Sequence, residues 1–315
     1  GHSVVIYEKN TYAGGLAAGF KAPGWKTSVE LFYHHWFQSD EAMKRLLRRL
    51  EFEDLARFYT QKSVMYHNGK FYPFDSIPAA LAYPGLGYGI NKIRFGLVGV
   101  YLRLTKNWRT LEKITAKEWM TKWAGGFVYR TMWEPMMIGK FGEEYADRVN
   151  MAWLWARIAA RTTSLGTFTG GFQAMINAFV EKLKERGVEF RFETDVRRIE
   201  ADETGHLSVA VTGQDGTETF DRVLATCPPH AFEKLVPTLD ERDRTPIHEL
   251  KSIGAVVLIL ALNHPLSPEG YYWYNLPKAA GFPCLALVEH TNFVPHDEFN
   301  GQTIVYAGDY LDPSH

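Results

Sequence analysis

Two hydrophobic periods alternate along this chain, and each change from one to the other marks an element boundary. Val4, Val5, Ile6 and Tyr7 make an unbroken apolar run closed by Glu8, the pattern of a buried strand with an acid at its carboxyl end. From Ser39 the spacing becomes helical, with Ser39 or Asp40 as cap and Leu46, Leu47 and Leu50 on one face. Val64-Met65-Tyr66-His67 and Lys70-Phe71-Tyr72-Pro73 then flank Asn68-Gly69, which predicts a hairpin. Helical spacing over 116–123, 126–137 and 149–161 carries Trp119, Trp123, Trp133, Trp153 and Trp155.

Alternation of strand and helix resumes at Gly170, with a helix over 174–186 stopped by Gly187 and a strand over 188–193. Residues 207–212 and 217–226 flank Gly213-Gln214-Asp215-Gly216 and predict a β-meander. A polar, helix-favouring stretch from 229 to 250 leads to the longest apolar run, the ten residues 253–262. A bilayer takes about 20 residues, so this run reads as a buried strand. Strands over 285–289 and 303–306 extend the same sheet. Between 85 and 104, Ile90, Ile93, Phe95, Leu97, Val98, Tyr101 and Leu102 alternate with Lys92, Arg94 and Arg103, and Lys106 follows. This basic amphipathic pattern suits a partly buried helix or contact with a membrane interface.

Composition narrows the classes. At 315 residues and 46% hydrophobic, the chain exceeds what one core usually holds, which predicts two domains. With 35 basic and 36 acidic residues it has no global field to favour nucleic acid. Cys227 and Cys284 are the only cysteines, too few for a disulfide framework and without metal-ligand spacing, so a reducing cytoplasm is expected. No signal peptide is visible.

The chemistry starts at Glu8. In a dinucleotide-binding unit the second strand ends in an acid whose carboxylate takes the ribose hydroxyls, about 20 residues after a Gly-rich phosphate turn. No such turn precedes Glu8, and Gly1-His2 reads as the end of a helix, so the chain is expected to be an internal segment of a nucleotide-cofactor protein. Gly14, Gly15 and Gly19 let a backbone approach a ligand closely.

Val5-Ile6-Tyr7-Glu8-Lys9 through Gly14-Gly15-Leu16-Ala17 resembles the opening of the FAD-dependent amine oxidase-type flavoproteins, which include protoporphyrinogen oxidases and phytoene desaturase-like enzymes. Phe168-Thr169-Gly170-Gly171-Phe172-Gln173-Ala174-Met175, Asp195-Val196-Arg197-Arg198-Ile199 and Val223-Leu224-Ala225-Thr226-Cys227-Pro228-Pro229-His230 are similar to three later segments of that family, in order. Many amine oxidases place an Arg after the Gly pair, where this chain has Leu16, which is nearer the desaturase and protoporphyrinogen-oxidase branches.

The resemblance implies an α/β fold with a Rossmann-like, incomplete FAD-binding domain at 1–35 and 165–232. An α+β substrate domain is inserted at 36–164 and 233–315. It implies that Glu8 binds the adenosine ribose, that Gly14 and Gly15 line the cofactor passage with Lys9 and Leu16 beside them, that Val196 meets adenine through its backbone, and that Cys227 and Pro228 lie near the adenosine. The expected reaction is oxidation of a C–H or C–N bond of an apolar or polycyclic substrate by hydride transfer to FAD. The aromatic excess, 14% of residues, points to such a substrate in a cavity between the domains. Glu30, His34 and His35 are the candidate acid–base groups; adjacent histidines on a strand would face opposite ways. Two rivals remain: a non-redox flavoenzyme resembling UDP-galactopyranose mutase, which needs Arg and Tyr around the flavin, and a binding protein that keeps the fold without turnover.

Overall fold

Val5–Tyr7 finds its partner far along the chain, pairing in parallel with Glu189–Arg191. A parallel pair needs a crossover, and the long helix Phe172–Glu185 precedes the second strand, closed by Gly187 at φ 84. The computed structural model describes residues 1–312, which divide into one unit of residues 1–18 with 176–252 and another of residues 19–175 with 253 onward. Residues 19–35 and 165–175 therefore pack with the second unit, and 233–252 with the first.

In the first unit, Val196–Ala201, Leu207–Val211 and Thr217–Phe220 form the expected antiparallel meander. Its inward residues Ile199, Val209 and Val211 bury against Tyr7, Val196, Phe220 and Leu235. The third strand stops at Phe220 rather than running on to 226, because residues 221–228 find no neighbouring strand among the described residues. Helices Pro229–Leu235 and Glu241–Glu249 follow, tied by an Arg244–Glu233 ion pair of 2.8 Å.

The second unit is built on a six-stranded sheet, ordered Gly254–Leu262, Thr303–Leu311, Ala286–Glu289, Trp273–Asn275, Ser63–His67 and Lys70–Pro73. The Asn68-Gly69 hairpin forms as expected, with both turn residues at positive φ. The strand Gly254–Leu262 is not buried as its composition suggests. It is an edge strand paired, among the described residues, only with Thr303–Leu311, and Val256, Leu258 and Leu260 project from an uncovered face while Val257 and Ile259 pack inward.

Helices fill the rest of this unit around Leu102, Met120, Tyr129, Met137 and Leu154. Trp119 is buried, Trp133, Trp153 and Trp155 pack against this core, and Trp123 is exposed. The helix expected over 126–137 is interrupted: a π turn at Tyr129–Trp133 precedes Glu134–Phe141. Pro135 has no N–H for the carbonyl of Thr131, and the backbone widens there instead. In Glu41–Leu50, Leu47 and Leu50 are buried but Leu46 is exposed, and Asp40 gives its carboxylate to the Phe37 N–H at 2.8 Å instead of capping the helix.

Candidate functional site

Eight of the residues expected at a cofactor lie in the first unit. Glu8 ends its strand with its N–H on the Arg191 carbonyl and its own carbonyl accepting from Thr194, both at 3.0 Å. Its Oε1 accepts from the Asn10 N–H at 2.8 Å, while Oε2 has no hydrogen bond among the described residues. Lys9 and Leu16 are exposed. Gly14 at φ 137 and Gly15 at φ 53 open a 3-10 turn, Gly15–Ala17. The two glycines differ: a Cβ on Gly14 would stand 3.0 Å from Ala18, whereas nothing lies within 4 Å of a Cβ on Gly15. Packing demands the first glycine, and open space adjoins the second. Val196 pairs with Val211, next to a bulge. Cys227 is half-buried and, with Val223, Ala225, Pro229 and Phe232, lines an open apolar hollow of about 410 Å³; Pro228 precedes the helix beside it.

Glu30, His34 and His35 lie in the second unit. Glu30 sits on the short strand Val29–Glu30, paired with Gly19–Phe20. That pairing needs a glycine, since a Cβ on Gly19 would be 2.6 Å from the Val29 carbonyl oxygen. Glu30 is 1% exposed. The Phe172 N–H donates to its Oε1 and the Tyr306 hydroxyl to its Oε2, each at 3.4 Å, while the Glu30 N–H donates back to Tyr306 Oη at 3.1 Å. Burial outweighs these bonds and pushes the carboxyl up to about 7.

A second polar cluster is Tyr33, His35 and Tyr272. The Tyr33 hydroxyl bonds His35 Nδ1 at 2.6 Å and also the Tyr272 hydroxyl. Burial raises both tyrosines and, helped by the nearby Arg161 charge, lowers His35 to about 4. At neutral pH the cluster is therefore uncharged. His34 turns its Nδ1 to the Phe32 carbonyl and rests near the Phe172 ring. Both histidines occupy the loop between Val29–Glu30 and Trp36–Phe37, so strand alternation does not govern where they point.

Arg161, which follows the helix Met151–Ala160, donates to Ser63 Oγ at 3.3 Å. With Arg103, Asp75, Gln38 and Gln61 it lines a polar cavity of about 270 Å³. Desolvation by the surrounding protein lowers its pKa, with Asp75 opposing. Sequence reasoning missed Tyr272, Tyr306 and Arg161. Tyr306 is 276 positions from Glu30, and no local pattern records that partnership.

The whole described chain, residues 1–312, matches the family model of flavin containing amine oxidoreductases. The chain belongs to that family. Among curated proteins no match is found. An oxidoreductase from Methanosarcina mazei is similar in structure with a TM-score of 0.72 at 16% identity, covering 100% of this chain and 75% of that one. A protein assigned as a protoporphyrinogen oxidase from Exiguobacterium sp. aligns with a TM-score of 0.70 at 15% identity, covering 98% and 71%. A reduced UDP-galactopyranose mutase aligns with a TM-score of 0.68 at 14% identity, covering 98% and 69%. At such identities these likenesses show the fold.

As a flavin containing amine oxidoreductase, the chain is an FAD-dependent oxidoreductase acting on a small molecule. Its own residues fit the cofactor at two points: the uncommitted Oε2 of Glu8, and the open side of Gly15 that any side chain would fill. No described helix is long and apolar enough to cross a membrane.

Proposed function

We propose that the protein oxidises a C–H or C–N bond of a substrate with an apolar or polycyclic body, by hydride transfer to FAD. Bound FAD supplies the hydride acceptor. The chain's part is to hold the cofactor, orient the substrate and manage the proton that leaves with the hydride. Glu8 would take the ribose, Gly14 and Gly15 would line the cofactor passage, and Lys9, Leu16, Val196, Cys227 and Pro228 would flank it.

The observation that carries the reading is Glu30. A carboxyl sealed from solvent, bonded to Phe172 and Tyr306 and held at a pKa of about 7, can keep or give up a proton at working pH. The neutral Tyr33–His35–Tyr272 chain offers a second group in the same unit. Tyr33, His35 and Tyr272 act as positioning groups, with His34 packed beside the Phe172 ring.

The aromatic residues read as a substrate signal turn out to pack on one another, so the apolar character rests on another feature. Arg103, on the last turn of helix Ile90–Leu104, lines the polar cavity, and the rest of that helix exposes apolar side chains. A cavity of about 270 Å³ suits one polar end of a ligand whose apolar body lies outside it. The same Arg103 and Arg161 favour a second reading, a non-redox flavoenzyme acting on a charged substrate.

Anaerobic mixing separates the two. Candidate amphiphilic substrates should bleach the oxidised flavin in a single turnover, and Arg161→Met should raise the substrate concentration needed by tenfold or more. Turnover that leaves the flavin oxidation state unchanged, with no electron acceptor consumed, would establish the non-redox reading.

A further inference from the structure

The helix Ile90–Leu104 presents its apolar stripe outward. Ile90, Ile93, Leu97, Tyr101 and Leu104 recur at intervals of three and four and are all exposed, Leu97 at 66%, while Val98 and Leu102 face the core. Ile77 on the neighbouring helix Ile77–Ala82 and Tyr88 in the connection are more exposed still, at 73% and 85%. The stripe runs about 20 Å along the helix. Scattered apolar residues on a surface are ordinary, but a continuous strip of this length is not.

Its surroundings say what covers it. From Ser76 to Leu111 the chain holds five basic residues, Lys92, Arg94, Arg103, Lys106 and Arg109, and no acid, although the whole sequence is balanced at a net charge of −1. Arg94 is braced at the edge of the strip by bonds to the Trp123 and Lys122 carbonyls, at 2.9 and 2.6 Å. Lys92 lies over the Tyr88 ring and Arg109 over Trp108, which sets cations beside aromatic rings at the rim. An apolar strip bordered by cations and by Tyr and Trp matches the boundary between acyl chains and anionic headgroups. A helix of 15 residues lies along such a boundary and does not cross it.

We propose that this face is a peripheral docking surface for a bilayer containing anionic lipid, with the helix Ile90–Leu104 lying in the plane of the interface. The proposal does not depend on the reaction assigned above.

Vesicle flotation tests it. The purified protein should float with vesicles of phosphatidylcholine and phosphatidylglycerol and bind at least tenfold less to phosphatidylcholine alone, and salt should weaken the binding. Ile93→Glu with Leu97→Glu should reduce flotation tenfold or more, with far-UV circular dichroism and flavin content unchanged, because both side chains lie outside the core. Lys92→Glu with Lys106→Glu, which leaves every apolar contact in place, should reduce binding to the anionic vesicles alone. No flotation, or flotation indifferent to both double variants, overturns the proposal. So does a sedimenting dimer that Ile93→Glu with Leu97→Glu dissociates while vesicles stay unbound, for then a second copy covers the strip.

Discussion

If Glu8 and the glycine pair hold the cofactor as proposed, single atoms decide its fit. Oε1 of Glu8 is already engaged by Asn10, which leaves one oxygen for a ribose hydroxyl. A charge-assisted bond of this kind contributes about 1.5–3 kcal/mol, so Glu8→Ala should weaken FAD binding about tenfold or more by calorimetric titration, with Glu8→Asp intermediate. Gly14→Ala should lower stability, since its Cβ meets Ala18, whereas Gly15→Val should leave a folded protein that purifies without colour.

Glu30 carries a pH signature of its own. Its folded pKa, about 7, lies above the ordinary 4.5, so its contribution is fully present below pH 4.5 and is lost as pH rises through 7. A shift of that size corresponds to about 3 kcal/mol. Glu30→Gln should flatten this limb in thermal unfolding between those pH values. It should also abolish an inflection near 7 in kcat/KM if the group handles the reaction's proton.

Among the elements, two helix starts are locked together. Thr115 and Glu118 form a capping box with bonds of 3.2 Å in each direction, and Asn150 Oδ1 accepts from the Trp153 N–H at 3.0 Å. Backbone bonds from Ala116 to Val149 and from Met151 to Ile114 join the two starts side by side. Thr115→Ala and Asn150→Ala should each cost about 1 kcal/mol in urea unfolding. The double variant should depart from additivity, because the two caps share neighbours. The first cap is legible in the order Thr115, Glu118; the joining of the two ends is not, since it depends on residues more than thirty positions apart.

For the whole molecule, acid sensitivity concentrates in buried histidines of the second unit. His290 is surrounded by Phe293, Phe299 and Tyr306, its Nδ1 has no partner among the described residues, and burial lowers it to about 4, as it does His35. Depressed below the ordinary 6.5, both contribute stability that is present above pH 6.5 and lost as pH falls through 4. Two groups falling on the acid side against one on the other should make the acid limb of a melting-temperature profile the steeper. His290→Leu should remove roughly half of the part due to histidine.

Several features were settled by the sequence alone. Glu8 at a strand end, the Gly14-Gly15 pair, the Asn68-Gly69 hairpin, the meander after Val196 and the flavoprotein family are local, because a turn, a period or a short motif acts through residues adjacent in the chain. The tertiary structure decided which face meets which neighbour. Periodicity shows that Ile93 and Leu97 share a side of their helix and that 253–262 is apolar; it does not show that those sides face outward. Glu30 acquires its raised pKa from burial, which outweighs the bonds from Phe172 and Tyr306, and His35 its neutral state from burial helped by the charge of Arg161. Desolvation and hydrogen bonding depend on distance in space, and only folding brings residues 142 and 276 positions away to a carboxyl that the sequence presents as one acid among 36.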